Sequence, residues 1–186
     1  PVLQELRFLG RDILCDDVRR LGPSVLRWVG IRYVILDRYK MPGGAEREVT
    51  TALAEEMFVG VAPVYEDERL TVYRVEPPAE PQPFAILGEG WGPRQEEGER
   101  VWREAAGRAM LEIQSWGRAS VWLTILAGTD GTAELVLRGP NGQETHKYLS
   151  ERDETISMEV RTTGSGEVAL ECLGPASCRV YLAQVE

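Results

Sequence analysis

Four of the chain's eleven prolines fall inside eight residues, Glu76-Pro-Pro-Ala-Glu-Pro-Gln-Pro83. Proline removes a backbone donor and pushes the residue before it toward extended conformations. The run therefore reads as a semi-rigid linker. It divides the 186 residues into a small α/β unit over 1–76, a linker over 77–83, and a second domain over 84–186.

Upstream of the linker, apolar residues at 18, 21, 25, 26 and 29 have helical spacing, although Gly22-Pro23 is expected to break or start that helix. Ile31 to Leu36 is short, apolar and β-branched, which reads as a buried strand. A second helix is expected from about Ala45 to Met57. Val61–Tyr65 and Leu70–Val75 then flank the polar residues 66–69 as a β-hairpin with a solvated tip.

Downstream, strand-length segments are punctuated by turn chemistry. Asp130-Gly131 and Asn141-Gly142 tolerate the positive φ angles of two-residue hairpin turns, and Gly164-Ser-Gly166 is a third turn. Leu111 and Ile113 alternate with polar residues, as do Ile156, Met158 and Val160. Regularly spaced antiparallel strands of this kind indicate a β-sandwich or jelly roll.

With 43% hydrophobic residues the chain can build real cores. No apolar run is long enough to span a bilayer as a helix, and no leader pattern is present. Its first residue, Pro1, leads to the expectation of a segment from a longer polypeptide. A formal net charge of −9 argues against a nucleic-acid partner, because phosphate contacts need clustered cations.

No motif states a chemistry. Phe84–Leu87 followed by Gly88-Glu-Gly90-Trp-Gly92 invites a dinucleotide fingerprint, but the third glycine would fall at Pro93 and no βαβ unit follows. His146 is the single histidine, so a nucleophile–base pair has few candidates. With a two-residue turn at Asn141-Gly142, His146 would lie opposite Leu137 as a partly buried strand residue. No zinc-ligand spacing occurs. Calcium is conceivable, since loop oxygens suffice for it, but no EF-hand spacing is present. Glu96, Glu97 and Glu99 could supply acid/base groups for hydrolysis, against the plainer reading of a solvated loop.

The tryptophans are the remaining candidates. Trp116 alternates with Glu112 and Gln114 on an expected outer face, which makes it the best-exposed sugar-stacking ring. Trp91 and Trp102 sit in or beside the glycine-rich stretch, and Arg94 opens its charged excursion. These four residues form a candidate ligand rim. The competing reading makes the aromatics lids on the sandwich core, with Gly88, Gly90 and Gly92 turning the chain out of the linker. Around a loop centred on Pro175, Cys172 would stand opposite Cys178, Leu170 opposite Val180 and Val168 opposite Leu182, all facing inward. Opposed cysteines there could form a disulfide or remain packed thiols. Cys15 is left over.

Two stretches carry a family resemblance: Gly30-Ile-Arg-Tyr-Val-Ile-Leu-Asp-Arg38, and Pro63-Val-Tyr-Glu-Asp-Glu-Arg-Leu-Thr-Val-Tyr-Arg-Val75. With the Gly90-Trp91 opening that follows, they resemble the soluble C-terminal region of bacterial multi-spanning membrane glycosyltransferase-like proteins that use polyprenyl-phosphate sugars. The resemblance implies an extracytoplasmic, membrane-tethered tail beside the membrane-embedded domain of its parent chain. It would contact a glycan or protein acceptor without being catalytic, because that family's catalytic acids lie between membrane helices. A free-standing carbohydrate-binding or adhesion module is the alternative, and a hydrolase using loop carboxylates a further one.

Overall fold

The computed structural model describes residues 12–14, 17–105 and 107–186. The beginning of the expected α/β unit, residues 1–11, and the leftover Cys15 lie outside the described residues. Internal contacts divide the chain into two units, one formed by 17–82 and the other by 12–14 together with 83–186.

The first unit opens with α1 (Val18–Trp28), capped by the Asp17 side chain, which accepts from the Arg20 amide at 3.0 Å. The helix runs through Pro23 instead of stopping at it. An interior proline costs about 3 kcal/mol, and burial of Val18, Leu21, Val25 and Leu26 along one stripe offsets that cost. Gly22 makes the approach to α2 (Ala45–Met57) possible, since a Cβ there would lie 2.6 Å from Met57 Cγ. The strands β1 (Tyr33–Asp37), β2 (Tyr65–Glu66) and β3 (Leu70–Arg74) form an antiparallel sheet in the order β1-β3-β2. Asp67 closes the β2–β3 hairpin by accepting from the amides of Arg69 and Leu70 at 2.8 and 2.6 Å.

Only Leu36 of β1 is buried, so the expectation of a buried strand fails: Tyr33 and Ile35 are 53% and 59% exposed. Residues of one sheet face pack inward, with Phe58 stacked on Tyr73 at 4.5 Å. On the other face Tyr33, Ile35 and Tyr65 are exposed. The proline run is anchored at its end, because the Gln82 amide donates to Ser24 Oγ at 2.9 Å and Arg20 reaches Gln82 Oε1 at 3.2 Å.

The second unit is a sandwich of two five-stranded antiparallel sheets. One contains β4 (Phe84–Leu87), β7 (Arg108–Gln114), β9 (Ala133–Arg138), β10 (Glu144–Leu149) and β12 (Ser165–Leu173), in the order β10-β9-β12-β7-β4. The other contains β5 (Gln95–Glu97), β6 (Arg100–Ala105), β8 (Ser120–Gly128), β11 (Glu154–Arg161) and β13 (Cys178–Val185), in the order β11-β8-β13-β6-β5. Leu111, Ile113, Leu135 and Leu170 from the first sheet share one core with Leu123, Ile125, Val160 and Val180 from the second. Period-two alternation places them there.

The turns behave differently from their dipeptide signals. Asp130-Gly131 links β8 to β9, which lie in opposite sheets, so it is a crossover and not a hairpin. Gly164 likewise sits between β11 and β12, strands of different sheets. Asn141-Gly142 does close a hairpin, but the loop holds three residues: the Gly139 amide donates to the Gln143 carbonyl at 2.8 Å, with Gly142 at φ 73°. That extra residue moves His146 opposite Val136 instead of Leu137 and turns it to the exposed outer face. A one-residue slip in register has this effect on every side chain of a strand.

The cysteines also depart from the expected ladder. Cys172 and Cys178 form a disulfide with Cα atoms 5.7 Å apart, yet β12 and β13 belong to opposite sheets. The bridge therefore ties the two layers together at one end. A register shift between Val180 and Leu182 puts Ala183 in the core and leaves Leu182 half-buried, so Leu182 does not face Val168. Bulges reverse the facing of later residues in this way.

Sequence segmentation missed one element altogether. Ile13 and Leu14 are 0% and 2% exposed inside the sandwich core. Leu14 forms a parallel bridge with Ala183, whose amide donates to the Ile13 carbonyl at 2.6 Å. Asp12 is held by Arg103 through Nε–Oδ1 and Nη2–Oδ2 contacts of 2.9 and 2.8 Å.

Candidate ligand-binding groove

The outer face of the β10-β9-β12-β7-β4 sheet carries an organised polar surface. Strand register sets its rows. Arg108 stands beside Glu171 and then Val136; Met110 stands beside Ala169 and then Arg138; Glu112 stands beside Glu167. Beyond β9, His146 faces Val136 and Glu144 faces Arg138. Short side chains at Ala169 and Gly166 leave a depression between longer ones.

That depression is an open groove of about 760 Å³, lined among others by Arg108, Met110, Glu112, Arg138, Glu167 and Ala169. Gly139, Pro140 and Gly142 also line it. Its polar groups are held in place by one another. Arg138 Nε donates to Glu171 Oε2 at 3.0 Å, and Arg138 also pairs with Glu144. Arg108 Nε lies 3.8 Å from Glu171 Oε1. Gln114 donates to Glu112 Oε1 at 2.6 Å. The hydrogen bond to Glu171 raises the Arg138 pKa, so its charge is permanent.

His146 extends the network, with Nδ1 2.9 Å from Glu134 Oε1 and Nε2 3.4 Å from Glu144 Oε2. The Glu134 hydrogen bond, followed by that to Glu144, holds its pKa above the usual imidazole value. A folded-state pKa above the unfolded one means stabilisation that is complete below the unfolded value and is lost as pH rises through the folded one. Thermal stability is therefore expected to fall on going from about pH 6 to about pH 8, where ordinary histidine titration is nearly complete. In His146→Gln this portion of the pH dependence should vanish; an unchanged profile in the variant would assign it to other groups.

The four residues of the expected rim do not line this groove. Trp91 is half-buried against the core, and its Nε1 donates to the Met110 carbonyl at 2.7 Å. Trp102 sits on the other sheet, its ring centroid 6.5 Å from that of Tyr181. The Arg179 guanidinium lies 5.6 Å over Trp102 and that of Arg100 lies 4.5 Å over Tyr181. Cations thus already stack on both rings. Arg94 donates to Glu96 Oε2 at 2.7 Å, and its side chain is 17% exposed.

Trp116 is the clearest correction. β7 ends at Gln114, Ser115 turns to pair with Gly164, and Trp116 follows in the left-handed region at φ 53°. The alternation that would have exposed it has stopped; the ring is half-buried, with no hydrogen-bond partner for Nε1 among the described residues. Trp122, flanked by buried Val121 and Leu123, is exposed instead, at 56%. Its outward facing was readable from the β8 alternation.

Glu96 and Glu97 lie on the short exposed strand β5, with Glu99 in the turn after it, and none lines the groove. Among the described residues no group of three or more His, Cys, Asp or Glu is placed to hold a metal ion. No helix among them is long and apolar enough to cross a membrane.

The fold and the groove together define a mostly antiparallel β-sandwich with a polar open face. No protein-family model matches the chain, and no curated protein matches it. Among solved structures it is similar to a family 4 carbohydrate-binding module, at 7% identity over 55% of this chain and 86% of that one, with a TM-score of 0.39. It is also similar to a family 36 module of a multidomain xylanase from the hindgut metagenome of Trinervitermes trinervoides, at 8% identity over 56% and 96%, with a TM-score of 0.41. A third is a family 36 module in complex with calcium and xylotriose, at 11% identity over 55% and 98%, with a TM-score of 0.39.

Proposed function

We propose that the sandwich is a non-catalytic glycan-binding module whose ligand lies across the β10-β9-β12-β7-β4 face. The observation that carries this reading is the groove itself, where fixed guanidinium and carboxylate groups surround a floor of Met110 and Ala169. A sugar hydroxyl both donates and accepts, so neighbouring hydroxyls can engage Arg138 and a carboxylate at once. The flat C–H face of a pyranose can rest on the apolar floor. Contacts of this kind do not require calcium.

Strands that cross repeatedly between the sheets fit a jelly-roll arrangement. In the resemblance carried by Gly30–Arg38 and Pro63–Val75, the module would be tethered on the extracytoplasmic face of a bacterial membrane. There it would hold an acceptor near the membrane-embedded part of a glycosyltransferase-like parent.

The test is a glycan array followed by calorimetry on the whole chain, with and without calcium. Binding is expected, and Arg138→Ala should weaken it about tenfold or more, the loss typical of a charged hydrogen bond. Trp122→Ala, on the other sheet, should leave affinity unchanged. Absence of binding to every glycan, or loss on Trp122→Ala with Arg138→Ala neutral, would remove the groove from consideration.

A further inference from the structure

The α/β unit has a surface that the glycan reading does not use. Nine of the twelve large hydrophobic residues exposed among the described residues belong to it. Four of them cluster on the open sheet face or beside it: Tyr33 and Ile35 on β1, Tyr65 on β2 and Val64 just before it, exposed by 53%, 59%, 51% and 57%. Register joins them, since Ile35 and Tyr65 both face Val72, and the Val64 amide donates to the Val72 carbonyl at 2.8 Å.

One end of this face is cationic. Arg74 stands opposite Tyr33, and with Arg27, Arg32 and the single carboxylate of Glu76 it lines a cavity of about 350 Å³. Arg74 reaches Glu76 at 3.0 Å. The other end is acidic, at the Glu66–Glu68 hairpin tip. In a chain of net charge −9, three arginines gathered at the edge of an apolar face give that edge a polarity of its own.

We propose that this unit docks reversibly on an anionic phospholipid surface, with Arg27, Arg32 and Arg74 taking lipid phosphates. Tyr33, Ile35, Val64 and Tyr65 enter the interfacial layer, and the acidic tip points away. Two features favour lipid over a protein partner. Two five-residue strands about 17 Å long and one two-residue strand, about 4.8 Å apart, present roughly 200 Å², whereas a stable protein interface needs about 800 Å² per partner. Tyrosine and arginine side chains also suit the interface, with apolar bodies and polar ends.

Sedimentation of the whole chain with vesicles tests this. Vesicles of phosphatidylglycerol with phosphatidylcholine should pull the chain down in low salt and release it in high salt, whereas phosphatidylcholine alone should not bind it. A basic residue near an anionic surface contributes about fivefold, so Arg27→Gln with Arg32→Gln should lower partitioning about 25-fold. Ile35→Asp should abolish it, with an unchanged melting temperature showing that the exposed substitution leaves the fold intact. Equal binding to both vesicle types would overturn the role of the arginines. Binding of inorganic phosphate without vesicle binding would overturn the lipid source, and self-association relieved by Ile35→Asp without vesicle binding would make the face a contact between copies.

Discussion

Asp12→Ala is expected to destabilise the sandwich by about 3–5 kcal/mol, the usual consequence of removing one partner from a buried ion pair. The side chains of Asp12 and Arg103 are 0% and 8% exposed. Arg103 also donates to the Gly92 carbonyl at 2.9 Å, so the pair fastens residues 12–14 and the glycine-rich stretch to β6 at one point. Without Asp12 the guanidinium would stay buried without its carboxylate, and the adjoining Ile13 would lose the anchor that keeps it in the core. Urea unfolding of the single variants and of Asp12→Leu with Arg103→Met measures this. The double variant should recover much of the loss, because two apolar groups leave no charge in the core. A single-variant cost below about 1 kcal/mol would mean that the pair behaves as a surface contact.

The same segment shows what the sequence leaves unsaid. Ile13 and Leu14 form too short an apolar pair to register as a strand. They matter only because Ala183, far along the chain, offers them a backbone partner. Where burial follows local alternation, as in β7 and β11, the reading from residues alone matches the structure at Leu111, Ile113, Ile156, Met158 and Val160. Where it depends on loop length the reading fails. Pro140 in the loop adds one residue and turns His146 outward, and the end of β7 at Gln114 withdraws Trp116 from the outer face.

The groove was invisible for a related reason. Arg138, Glu171 and Glu144 lie on three different strands, and only the register β10-β9-β12 brings them together. No spacing in the sequence encodes that meeting. The disulfide partners could be named because they are close in sequence, but the assignment of their strands to opposite sheets depended on the whole core.

Gly90→Ala is the other substitution expected to have a large effect, and it resolves the role of the Gly88–Gly92 stretch. Gly90 has φ 84°, and a Cβ there would sit 1.9 Å from the Arg108 carbonyl oxygen and 2.9 Å from Ala109 Cα. The neighbouring atoms are backbone of β7 and cannot swing aside. Backbone strain alone costs about 1–3 kcal/mol at such a residue, and the overlap must then push the loop off the sheet. Trp91 would move with it and lose its bond to the Met110 carbonyl. Gly98 is the matched control, with φ 61° and open space around it; Gly98→Ala carries the strain without the clash. Thermal melts of the two variants separate the contributions, with Gly90→Ala expected to be the more damaging by a wide margin. Tryptophan fluorescence should shift toward the solvent-exposed value in Gly90→Ala alone. Equal melting temperatures for the two would show that the loop can lift from β7 without cost, and Trp91 would then be a movable lid.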